Sequence, residues 1–104
     1  MLDKETEKSL LDLGLVNDYS DTIAQYYRLP TTDFHFIWVY NECGDCDAPA
    51  DLYIMDDGII SSISTRHFRT AEDSIPHIKD LIRRHKELMV ELKRRELEQD
   101  FENE

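Results

Sequence analysis

Lysine and arginine are missing from the whole stretch between Arg28 and Arg66, which instead holds seven carboxylates. No phosphate-binding surface can be built from that part of the chain. Glycine is scarce as well: the three residues stand far apart at 14, 44 and 58. A glycine-rich loop that cradles phosphates is therefore excluded. No apolar run approaches the roughly 20 residues of a membrane-spanning helix. The N-terminal stretch M-L-D-K-E-T-E-K-S lacks the apolar core of a signal peptide. A cytoplasmic location and no membrane partner are the expectations. In that compartment thiols stay reduced, and only Cys43 and Cys46 are present.

Catalytic sets are missing too. Ser61, Ser62 and Ser64 fall in a strand pattern without the sharp elbow a nucleophile needs. Asp56-Asp57 precede Gly58, and turn formation accounts for that pair. The chain reads as a non-enzyme.

What is there is charge. The 104 residues carry a net charge of −11, with an isoelectric point near 4.6. Residues 1–73 hold −10 of it and residues 74–104 only −1. A surface this acidic repels nucleic acid, so a basic protein is the expected partner. The length fits one domain. Residues 1–92 read as its compact part, and 93–104 as a charged, projecting or frayed helix end.

The pattern predicts an α+β fold, α-α-β-β-β-α, with a three-stranded antiparallel meander. A short helix over 3–13 stops at Gly14. A second, capped by Asp18 or Ser20, offers Tyr19, Ile23, Tyr26 and Tyr27 on one side and runs to about Arg28 before Pro30. Phe34–Tyr40 alternates as a strand, with Phe34, Phe36, Trp38 and Tyr40 on one face. Leu52–Met55 and Ile59–Ser64 flank Asp57-Gly58, a strong hairpin signal. A long helix capped by Ser74, with Pro76 in its first turn, runs to about residue 98. Its stripe is Ile75, Ile78, Leu81, Ile82, Leu88, Met89 and Leu92. His85 lies within that stripe as a core histidine, and His35 reads as a partly buried, hydrogen-bonded one.

The segment C-G-D-C, residues 43–46, leaves two readings open. Thioredoxin-type redox chemistry is disfavoured, because no helix fits before the next strand and the neighbouring acids raise a thiol pKa. The segment can be a polar turn. It can also be half of a structural zinc site, since a two-residue spacer lets both sulfurs reach one ion. In a meander the third strand returns beside Cys43 and Cys46. That places His67 and His77 as the remaining ligands, or lets two chains share one metal.

Two surfaces exceed what folding needs. Glu42, Asp45, Asp47, Asp51, Asp56 and Asp57 form an acidic field suited to a basic groove of a nucleic-acid-handling protein. The C-terminal helix, with Lys79, Arg83, Lys86 and Lys93-Arg94-Arg95, suits either internal ion pairs or a homodimer. In size, charge and compact α+β plan the chain resembles small acidic inhibitors of phages and mobile elements, including anti-CRISPR proteins and DNA mimics. That resemblance implies an inhibitor or adaptor and carries over no site residue. The alternative expectation is a zinc-stabilised small domain.

Overall fold

The computed structural model describes residues 4–102. Its elements run α1 (Lys4–Asp12), β1 (Val16–Ser20), β2 (Ala24–Arg28), β3 (Ile37–Tyr40), β4 (Cys46–Ile54), β5 (Ile60–Phe68) and α2 (Ala71–Glu102). The five strands form one antiparallel sheet in the order β1-β2-β3-β4-β5. The α+β class and the meander hold, but the sheet has five strands instead of three, and one N-terminal helix instead of two. Residue 3 of the expected first helix lies outside the described residues.

The correction falls on residues 18–28. The tyrosines there are spaced like one side of a helix, yet they meet across a hairpin, Tyr19 opposite Tyr26. The turn decides it. Asp21 Oδ1 accepts the amide protons of Ile23 (2.8 Å) and Ala24 (2.7 Å), a local closure that competes with helix. Between Asn17 and Tyr19 the β1–β2 register shifts, so Asp18 is an extra residue on the edge strand.

The expected strand over 34–40 is shorter. Thr32 is buried, its hydroxyl reaches the carbonyls of Leu29 and Phe34 (both 3.1 Å), and the loop folds beneath the sheet. Phe34 and Phe36 therefore stack on one another (5.2 Å) below, while Trp38 and Tyr40 take the other face. Strands β4 and β5 are longer than expected. The segment Asp47–Ala50 is strand and not loop. Pro49 is tolerated because β3 pairs only with Cys46 and Asp47, leaving β4 an edge beyond them.

Helix α2 starts at Ala71, and Thr70 caps it: its hydroxyl accepts the Asp73 amide proton at 3.1 Å. Ser74 instead lies fully buried, bonded back to the Ala71 carbonyl. The core lies on one face of the sheet. Leu10 and Leu15, then Tyr27, Phe36, Ile37, Val39, Cys46, Ala48 and Leu52, pack with Ile78, Leu81 and Leu88 of α2. His85 is buried among them, edge-on to Phe34 and Phe36 at 6.4 and 6.2 Å. Of the expected α2 stripe, Met89 is half exposed at 51%. The radius of gyration, 15.7 Å, exceeds the roughly 13 Å of a compact chain this long. The 32-residue α2, at about 1.5 Å per residue, runs past the sheet.

Candidate functional site

Side chains alternate across a strand, so burial of Tyr27, Ile37, Val39 and Cys46 beneath the sheet sends their neighbours to the opposite face. Register then assembles a row that no single segment shows. Tyr19 pairs with Tyr26, Tyr26 with Trp38, Trp38 with Asp47 and Asp47 with His67. One line thus crosses all five strands on the face that the two helices leave bare. Its aromatic part is tight, with Tyr19 and Tyr26 centroids 5.7 Å apart and the His35 ring 5.2 Å from Tyr26.

Each end of the row carries a carboxylate held by a histidine. At the β1 end, Asp18 accepts from His35 Nε2 at 3.0 Å and from Arg28 Nε at 2.9 Å. Those two bonds, His35 first, hold the Asp18 carboxyl below its usual range. Arg28 is fixed in turn by the carbonyls of Leu29, Pro30 and Thr32. At the β5 end, Asp47 lies 2.6 Å from His67 Nδ1 and takes a 2.6 Å hydrogen bond from the Tyr40 hydroxyl. Asp45 faces the other ring nitrogen, Nε2, at 3.0 Å.

The electrostatics follow from that geometry. With a carboxylate at each nitrogen both must donate, which favours the imidazolium, and the hydrogen bonds to Asp47 and Asp45 raise the His67 pKa. Burial alone pushes the Asp47 carboxyl up, but the bonds from Tyr40 and His67 outweigh it and leave it lowered. Tyr40 moves up, chiefly because its hydroxyl is bonded to Asp47.

The six acids expected to form the contact field do not lie in one patch. Glu42 is exposed in the β3–β4 turn, next to Asp45 and Asp47. Asp51 is exposed on β4, 3.8 Å from Arg84. Asp56 and Asp57 stand at the far hairpin tip, and Asp57 Oδ1 accepts the Ile59 amide proton at 3.1 Å. The nine residues of β4 separate the two groups by roughly 30 Å.

The proposed zinc ligands are not brought together. Strand β5 does return beside the cysteines, but Cys46 pairs with Phe68, so neighbouring His67 points to the other face. Cys46 is fully buried, with its thiol on the Thr70 carbonyl at 3.4 Å. Burial first, then the acids around it, pushes that thiol up to about 11. Cys43 is exposed in the turn. His77 donates from Nε2 to the Pro49 carbonyl at 2.7 Å and packs on Phe68. Among the described residues no group of three or more His, Cys, Asp or Glu is placed to hold a metal ion.

The aromatic row is what sequence reasoning missed. Tyr19 and Tyr26 read as one side of a helix and Trp38 as one face of a strand, so the row exists only once 18–28 is a hairpin. No protein-family model matches the chain, and no curated protein or solved structure does so either.

Proposed function

We propose that the chain is a non-enzymatic protein-binding module, an inhibitor or adaptor that docks its open sheet face on a basic surface of a nucleic-acid-handling protein. The observation that carries this is the row Tyr19–Tyr26–Trp38, ended on both sides by carboxylates. Arginine is the side chain such a surface suits. Its guanidinium stacks on aromatic faces and loses little hydration on leaving water, while Asp18 and Asp47, already engaged by Arg28, His35, Tyr40 and His67, brace the ends of the row. The net charge of −11 steers the same class of partner from a distance. Proteins that handle nucleic acid present arginine and lysine in grooves shaped to meet phosphate, which makes them the natural targets for this charge.

Trp38 is the sole tryptophan, so the site reports on itself. Titration with an arginine-rich peptide at low salt should change Trp38 emission saturably, and raising salt should weaken the binding. A Tyr26→Ala variant should bind less tightly with its fold intact. An emission spectrum that ignores the peptide at every salt concentration sinks the reading.

A further inference from the structure

Asp45, in the β3–β4 turn, and Asp47, on β4, share one partner that can carry positive charge. Among the described residues neither pairs with a lysine or an arginine, and both meet the ring of His67. Asp47 lies at Nδ1 (2.6 Å) and Asp45 at Nε2 (3.0 Å). We infer that His67 is a proton-operated latch on the docking face. Charged, it ties the turn to β5 through both acids; neutral, it keeps Asp47 and releases Asp45. The latch stands on this geometry, and its effect on docking rests on the function proposed for the sheet face.

Counting protons forces the choice. An imidazolium donates from both nitrogens, whereas a neutral imidazole donates from one and presents a lone pair at the other. Two carboxylates facing one ring are therefore both satisfied only while it is charged. On losing a proton the ring keeps the one that faces Asp47. That contact is the shorter, the Tyr40 hydroxyl also fixes Asp47 at 2.6 Å, and the Asp47 side chain is only 17% exposed. The Asp45 side chain is 37% exposed, and among the described residues His67 is its one hydrogen-bond partner. Left facing a lone pair, it turns into water. The turn itself stays closed, because the Asp45 carbonyl accepts the Tyr40 amide proton at 2.8 Å and Gly44 donates to the Tyr40 carbonyl at 3.0 Å.

The surrounding elements leave this proton in charge. Tyr40, on β3, reaches the ring only through Asp47. Arg66, the preceding residue of β5, lies over the Phe68 ring at 5.0 Å. Helix α2 packs with the core on the opposite face of the sheet. Losing the proton therefore takes His67, Asp45 and Asp47 together from one net negative charge to two. It also frees a carboxylate. A guanidinium arriving on the aromatic row then finds an acid to pair with, where at lower pH both are engaged.

Nitrogen NMR spectra of the histidine rings and carbon spectra of the aspartate carboxyls, from about pH 5 to 9, test this on the full chain. His67 should titrate above the ordinary 6.5, and its neutral form should carry the proton on Nδ1. The Asp45 carboxyl carbon should move with the same midpoint. Asp47→Asn and Asp45→Asn should each lower that midpoint, the former more. An end-capped arginine-rich peptide keeps its own charge constant over this range. At low salt it should bind up to about fivefold more tightly at the upper end, the worth of one added charge contact in water. His67→Gln should remove that step while His35 stays at the far end of the row. A His67 midpoint at or below 6.5, a neutral ring protonated on Nε2, or an Asp45 carbon that ignores the titration overturns the inference. So does peptide binding that stays constant while the ring changes charge. A peptide that binds at no pH defeats the docking role instead, and the ring and carboxyl spectra then decide the latch alone.

Discussion

Asp47 Oδ1 lies 2.6 Å from His67 Nδ1, across directly paired positions of β4 and β5. The His67 pKa is raised from its usual 6.5, so the folded state holds the proton more tightly than the unfolded chain does. The stabilisation is full below about 6.5 and fades as pH rises through the folded value. Asp47 has the opposite sign. Its carboxyl is lowered from 3.8, so its contribution is present above that value and fades as pH falls through the folded one. Stability should therefore be greatest between these two limbs. His67→Gln should flatten the upper limb of a plot of Tm against pH and also weaken the lower one, since His67 together with Tyr40 holds the Asp47 carboxyl down. An unchanged upper limb would show that the pair does nothing for folding.

Replacing Asp47 with asparagine should cost on the order of 1 kcal/mol. Tyr40 loses an ionised acceptor and His67 loses a counter-charge. Urea unfolding at neutral pH measures it. By contrast, reversing exposed Glu42 and Asp56 to lysine should leave stability nearly as it was and slow association with a basic probe at low salt.

The hairpin at 18–28 makes its own test. Asp21→Ala removes the acceptor of two backbone amide protons and should destabilise the fold by roughly 1–2 kcal/mol. If the segment were helical, Asp21 would lie in its first turn and the same change would cost at most about 0.3–1 kcal/mol of dipole interaction, offset by the helix propensity of alanine. Chemical denaturation of the single variant separates the two.

The thiols should report their surroundings directly. Exposed Cys43 should react with a disulfide reagent in the native protein, whereas buried Cys46, pushed up to about 11, should wait for denaturant. One fast thiol per chain, then a second on unfolding, is the expected count. Two fast thiols would place Cys46 at the surface.

Core packing gives the remaining contrast. Leu81→Ala, at a residue 2% exposed, should cost about 2–5 kcal/mol through the cavity it leaves. Ile23→Ala, at a residue 65% exposed in the β1–β2 turn, should stay within about 0.5 kcal/mol.

Local chemistry carried much of this fold. Asp57-Gly58 marked its hairpin, with Gly58 at φ +85° as that turn needs. The apolar stripe of α2 marked the long helix, and the alternation Ile37 to Tyr40 marked β3. Residues 18–28 were ambiguous because Tyr19 and Tyr26, seven apart, suit two turns of helix and a cross-strand pair equally well. Only the acceptor geometry of Asp21 separates the two, and side-chain spacing does not express it. The candidate site was hidden for the same reason, since its row draws single residues from five strands. The zinc grouping failed on parity: one step along β5 from Phe68 to His67 changes faces.

The near-neutral C-terminal part, beside residues 1–73 with their charge of −10, also sets how the molecule travels. Its centre of charge is displaced from its centre of mass, so a positive field exerts a torque as well as a pull. A basic surface turns such a protein before touching it, so that the acidic part leads and the near-neutral part trails. Salt within a Debye length erases that alignment, so ionic strength should affect the rate of arrival more than the rate of departure.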